Sequence, residues 1–132
     1  MNFRELERKE TVGWLSEENP SALTEWYLSV RDTPLAKLGV GDICRSLRQS
    51  LFVCEILPVA VELLNNDVLA GERYDGELIS AIASLDISFF KENSYLLHQI
   101  VGALYKAIQI TSDAELLKES FCLIETLKNF NE

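Results

Sequence analysis

The sequence predicts an all-α fold: a single domain over residues 1–132, built as a compact antiparallel bundle of about six to eight helices. Three observations carry that expectation. Apolar residues recur at three- and four-residue spacing along most of the chain. Prolines, glycines and acidic clusters interrupt those runs at intervals that suit short helices. No Asn-Gly or Asp-Gly joins two alternating apolar runs, and Asp75-Gly76 stands before a helical pattern instead. A chain of 132 residues buries roughly two-thirds of its unfolded surface, so it needs neither a disulfide nor a metal to fold. No internal repeat of fixed period is visible, which leaves a helical solenoid as the minor alternative.

The elements follow in order. "NFRELERKETVGWL" brings Phe3 and Leu6 to one stripe and predicts a short helix. "SEENP" breaks it, because the residue before Pro20 is pushed from helical angles. Ser21 caps a second helix, "ALTEWYLSVRD", whose buried face is Leu23, Trp26, Tyr27 and Val30. Thr33-Pro34 ends it and "LAKLGVGD" connects. Gly41 or Asp42 opens a third helix with Ile43, Leu47 and Leu51 in register. Pro58 predicts a kink or a break at residues 52 to 55, with a new helix from about 55 to 66 and the proline in its first turn.

After the turn "NNDVLAGERYDGE", Asp75 is the expected N-cap of a helix with Glu77 in its first turn, where negative charge suits the helix dipole. Its buried face is Leu78, Ile79, Ile82 and Leu85. "DISFFKEN" is a connector with room for one helical turn. "SYLLHQIVGALYKAIQI" is apolar on most sides and belongs in the centre. Ser112 and Glu115, three apart, read as a capping box for the last helix. Leu116, Leu117, Phe121, Ile124, Leu127 and Phe130 repeat along it with helical period.

Charge narrows the function. Twelve basic residues face twenty-one acidic ones, a formal net charge of −9. That excess works against direct nucleic-acid binding and against anionic membranes, and suits a basic protein partner. Cys44, Cys54 and Cys122 are widely spaced in apolar sequence, which fits a reducing compartment. The N-terminus lacks the apolar core of a signal peptide, and no apolar run reaches the roughly 18 residues of a membrane span. The expected location is cytoplasmic.

Catalytic patterns do not emerge. The one histidine, His98, lies within a helical run and reads as a surface or packed residue. No Walker loop, GxGxxG, HExxH or GxSxG occurs, and Gly39-Val40-Gly41 is too short to cradle phosphate. No EF-hand series or Glu-x-x-His pair suggests a metal. The chain is therefore expected to be no enzyme and to hold no metal or cofactor. Arg45 and Arg48 share one helix face and, with Gln49, form a donor-rich patch. It reads as an anion or carboxylate site, or as internal pairing with Asp42 or with acids of the 67–77 turn. The surplus of nearby acid favours pairing. Trp14, Trp26 and Phe89-Phe90 read as core, with a partner anchor as the alternative for one of them.

Certain pieces recur together in order. They are Arg31-Asp32 with Pro34-Leu35, Gly41-Asp42, Arg45, Arg48-Gln49, Leu57-Pro58, Leu69-Ala70-Gly71-Glu72 and Tyr74-Asp75-Gly76-Glu77-Leu78. Over residues 20 to 90 this arrangement resembles the contact-dependent growth inhibition immunity proteins of bacteria. Val68 stands where that pattern often has proline, and Phe89-Phe90 where it often has Phe-Trp; both changes are conservative for packing. The resemblance implies a non-enzymatic antidote, a monomer that binds the C-terminal toxin domain delivered by a neighbouring cell in a one-to-one complex. Such toxins are often nucleases with basic surfaces, so an acidic chain would cover the active site or the substrate surface. The acids expected to meet the toxin are Glu17, Glu18, Asp67, Glu72, Asp75, Glu77 and Asp86. Arg45, Arg48, Gly71 and Gly76 are expected to serve the fold, with Glu72, Asp75 or Glu77 holding Arg45 or Arg48. The alternative is a helical adaptor or regulator that binds an endogenous basic protein.

Overall fold

In the computed structural model, which describes residues 1–9 and 21–129, the periodic runs among the described residues form helices that turn most of their apolar residues inward. Among the described residues there are eight α-helices: α1 Phe3–Lys9, α2 Ala22–Val30, α3 Val40–Arg48, α4 Val53–Asn66, α5 Glu77–Ala83, α6 Ile87–Glu92, α7 Leu97–Ile110 and α8 Ala114–Asn129. Two 3-10 turns, Leu35–Lys37 and Ser94–Leu96, complete the regular structure, and no strand occurs among the described residues. Trp14, Glu17, Glu18 and Phe130, and the expected break at Pro20, lie outside the described residues.

Five helices close a circuit. α3 packs on α4 and α5, α4 on α7, α7 on α8, and α8 returns to α5. Residues 111–113 join α7 to α8, a connection short enough to make the pair antiparallel neighbours. Inside the circuit, Ile43, Leu47, Ile56, Leu64, Ile79, Ile82, Ile100 and Leu104 are closed to solvent or nearly so. Each such side chain stabilises the fold by about 1.5–3 kcal/mol through burial. α1 and α2 lie at one end, where Phe3 stacks between Tyr27 at 5.3 Å and Phe52 at 5.8 Å.

That end is also stapled by charge. Arg4 pairs with Asp32 at 2.6 Å, and Arg31 forks onto Glu7. The Tyr27 hydroxyl donates to the same Glu7 carboxylate at 2.6 Å. The Arg31 hydrogen bonds hold the Glu7 carboxyl below its ordinary range despite burial, which acts the other way. Burial and the Glu7 charge push the Tyr27 phenol well above its own range.

Several expectations need correction. The break near Pro58 falls earlier, because Ser50 and Phe52 take positive φ angles of 53° and 45° and turn the chain. α4 then starts at Val53 and Pro58 sits inside it, past the first turn. The hydrogen bond that proline withholds belongs to the carbonyl of Cys54, an exposed residue that water can serve. Asp113, and not Ser112, caps α8: its Oδ1 accepts from the backbone N–H groups of Glu115 at 2.9 Å and Leu116 at 3.1 Å. The buried stripe of α8 is Leu116, Ser120, Leu123, Ile124 and Leu127. Phe121, expected in that stripe, is 55% exposed. "DISFFKEN" forms a full helix, α6, because Asp86 caps it through the Ser88 N–H at 2.9 Å. Of the cysteines, Cys44 is buried while Cys54 and Cys122 reach the surface.

Candidate functional site: the 67–76 loop and its two clefts

The loop between α4 and α5 is fixed by backbone hydrogen bonds and by two carboxylates. Asp67 accepts from the Leu69 N–H at 3.0 Å, and Gly76 N–H donates to the Leu69 carbonyl at 2.9 Å. Glu77, at the first position of α5, is 2% exposed. Its Oε1 accepts from the N–H groups of Glu72 at 2.9 Å and Arg73 at 3.1 Å. Its Oε2 accepts from Arg48 of α3 at 2.8 Å. Burial would raise the Glu77 pKa, but the Arg48 and backbone hydrogen bonds outweigh it and hold the carboxyl below its ordinary range. Burial, with the Glu77 charge adding to it, pushes the nearby Cys44 thiol up to about 12.

Glycine is required at two points of this loop. A Cβ on Gly71 would sit 2.1 Å from the Tyr74 carbonyl oxygen and 2.7 Å from the Glu77 Cβ. Gly76 has φ +87°, and a Cβ there would lie 2.6 Å from Leu116 of α8. Gly76 is itself the N-cap of α5, so Asp75 does not cap the helix and its side chain is left on the surface. The helix start trades a side-chain cap for a left-handed backbone because α8 passes too close for anything larger.

Two clefts flank the loop. One, of about 460 Å³, runs between the loop and α8 and is lined by Tyr74, Asp75, Asp113, Glu115, Lys118 and Glu119. Four carboxylates there face one ammonium. Glu119 is occupied by a short hydrogen bond from the Ser80 hydroxyl, and Asp113 by its capping role. The carboxylates of Asp75 and Glu115 accept no hydrogen bond among the described residues. Tyr74 is 50% exposed at the rim, and its hydroxyl accepts from Arg48 at 3.1 Å.

The second cleft, of about 450 Å³, lies between the loop and α3. Arg45, Arg48, Gln49 and Arg73 line it with Trp26 and Glu72. Arg45 lies over the Trp26 ring at 5.1 Å, while the Trp26 indole N–H donates to Asp42 at 2.9 Å. The donor-rich patch thus divides. Arg48 is paired internally, and Arg45 is held by an aromatic face instead of Asp42.

The remaining expected acids are scattered. Asp67 and Asp86 are exposed, and each is bonded to its own turn. Glu72 is exposed, with its carboxylate laid over Gly41, where an added Cβ would fall 1.6 Å from Oε2. Glu77 is not on the surface at all. Arg73, Asp113 and Glu119 join the site without having been singled out in the sequence, and Glu115 joins it having been read only as part of a capping box. The acids at the start of the last helix were a signal, but nothing local says that α8 runs past the loop. His98 is exposed on α7. No helix among the described residues is long and apolar enough to cross a membrane.

Comparison with known proteins supplies the family. The family model described as CDI immunity proteins matches residues 8–100. No curated protein matches the chain.

Proposed function

The chain belongs to the CDI immunity proteins, and from that premise we propose that it neutralises a cognate toxin domain through the acidic cleft between the 67–76 loop and α8. The family implies neutralisation by binding. The finer reading is a non-enzymatic, one-to-one complex formed in the cytoplasm with a basic nuclease domain, whose active site or substrate surface is covered.

One observation carries it: unpartnered carboxylates of Asp75 and Glu115 beside a half-exposed tyrosine, on a chain of net charge −9. Negative potential speeds encounter with a basic surface, and an aromatic that can be desolvated supplies an anchor once the two meet. Asp67, Glu72 and Asp86, exposed outside this cleft, and Glu17 and Glu18 add to the net negative charge. The test is protection of cells that express the toxin domain encoded beside this chain, together with direct binding of the two purified proteins. Cells left unprotected by a folded, expressed chain would remove this reading.

A further inference from the structure

The cleft between α3 and the 67–76 loop gathers three arginines, Arg45, Arg48 and Arg73, in a molecule with a large surplus of acid, and three carboxylates line it with them. Of the arginines among the described residues, Arg4, Arg31 and Arg48 each meet a carboxylate. Arg45 and Arg73 line this cleft and have no carboxylate within salt-bridge distance among the described residues. Asp42, Glu72 and Glu77 line the same cleft, but none of them lies within salt-bridge distance of Arg45 or Arg73 among the described residues. Asp42 accepts from the Trp26 indole and the Gly39 N–H, Glu77 is saturated by Arg48 and two backbone N–H groups, and Glu72 is laid over Gly41.

Arg45 is also preorganised. The Trp26 face at 5.1 Å fixes the guanidinium while consuming none of its N–H donors. A planar fork held in place with open donors suits a carboxylate, which it can meet with two parallel hydrogen bonds. The whole-chain charge of −9 repels free polyanions such as nucleic acid or nucleotides from a distance. It does not repel a single carboxylate carried on an otherwise basic protein.

We propose that this cleft is a carboxylate receptor, in which Arg45 and Arg73 take one Asp or Glu side chain of the bound toxin domain. This rests on the toxin-binding reading and adds to it a contact of opposite polarity, on the other flank of the loop from the acidic cleft. The two contacts together would fix orientation, because a partner rotated on the surface would oppose like charges.

Two measurements test it. In the first, sodium acetate is titrated while the arginine Nε–H signals are followed by NMR. Saturable shifts at Arg45 and Arg73 are expected, absent with sodium chloride at matched ionic strength. No saturable shift, or saturation by inorganic phosphate but not acetate, overturns the proposal. In the second, inactivated toxin domain is bound to the wild-type chain, to R45Q/R73Q and to R45K, each checked for an unchanged melting temperature. R45Q/R73Q should dissociate about tenfold faster or more. R45K keeps the charge but loses the fork and the planar stacking on Trp26, so it should also dissociate faster than wild type. Dissociation equal to wild type for R45Q/R73Q overturns the proposal and leaves toxin binding intact. A wild-type chain that does not bind the toxin overturns the functional reading instead, and the acetate titration still decides what the cleft takes.

Discussion

Arg48 and Glu77 meet at 2.8 Å across the gap between α3 and the start of α5, joining residues far apart in sequence. The carboxylate is 2% exposed on its side chain and the guanidinium 32%, so the pair is closed on one side and wet on the other. Removing Glu77 breaks three hydrogen bonds at once, two from the loop and one from Arg48, and leaves a partly buried charge behind. Glu77→Ala should therefore cost about 3 kcal/mol, the low end for breaking a buried pair because water can reach Arg48. Urea denaturation measures it. In the Glu77→Ala background, Arg48→Ala should cost much less than it does alone; equal costs would mean that the two act independently.

Gly76 and Gly102 make a matched comparison. Gly76 has φ +87° and Leu116 2.6 Å from where a Cβ would stand, while Gly102 on α7 has nothing within 4 Å. Gly76→Val should lower stability by about 2–5 kcal/mol through backbone strain and overpacking. It should lower toxin affinity per folded molecule far less, and the reverse order would make Gly76 part of the interface. Gly102→Ala should raise stability by about 0.4–1 kcal/mol, because alanine restricts the unfolded chain at a compatible helical site. Thermal melts of the two variants decide both signs.

Acid should weaken the fold through two buried carboxylates. Glu7 and Glu77 both have pKa values lowered from 4.5. A depressed carboxylate stabilises the folded state fully above its unfolded pKa. That stability is lost as pH falls through the folded value, since the unfolded chain binds the proton first. Melting temperature should hold steady near neutrality and fall below about pH 4.5. Glu77→Gln should start lower at neutral pH and fall less steeply; a slope equal to wild type would remove Glu77 from the effect.

At the acidic cleft, charge and anchor should separate kinetically. Asp75→Lys and Glu115→Lys should slow association with the toxin domain and reduce its salt dependence, with smaller effects on dissociation. Tyr74→Ala should act mainly by speeding dissociation, at a cost of about 1–2 kcal/mol or more if the ring is desolvated. Stopped-flow association over a salt series reads both. An association rate indifferent to salt would dismiss the electrostatic part.

Helical periodicity and family membership were legible in the sequence because both are carried by local spacing. On α3 and α5, Ile43, Leu47, Leu78, Ile79 and Ile82 are buried where the repeats put them, and on α2 Tyr27 is buried while Leu23, Trp26 and Val30 are partly so. An arginine held by an acid of the following turn was also legible, since surplus acid makes such pairing favourable wherever geometry allows. Which acid does so was decided only by the fold: Glu77 points inward from the first turn of α5, Glu72 lies over Gly41, and Asp75 is turned out. The fold likewise placed Arg45 on Trp26, brought Glu115 and Glu119 beside Asp75, and gave Gly76 its left-handed turn under Leu116. The physical reason is range. Helix formation is read from neighbours a turn apart, whereas a cleft and the ionic partners within it exist only once helices remote in sequence are packed together.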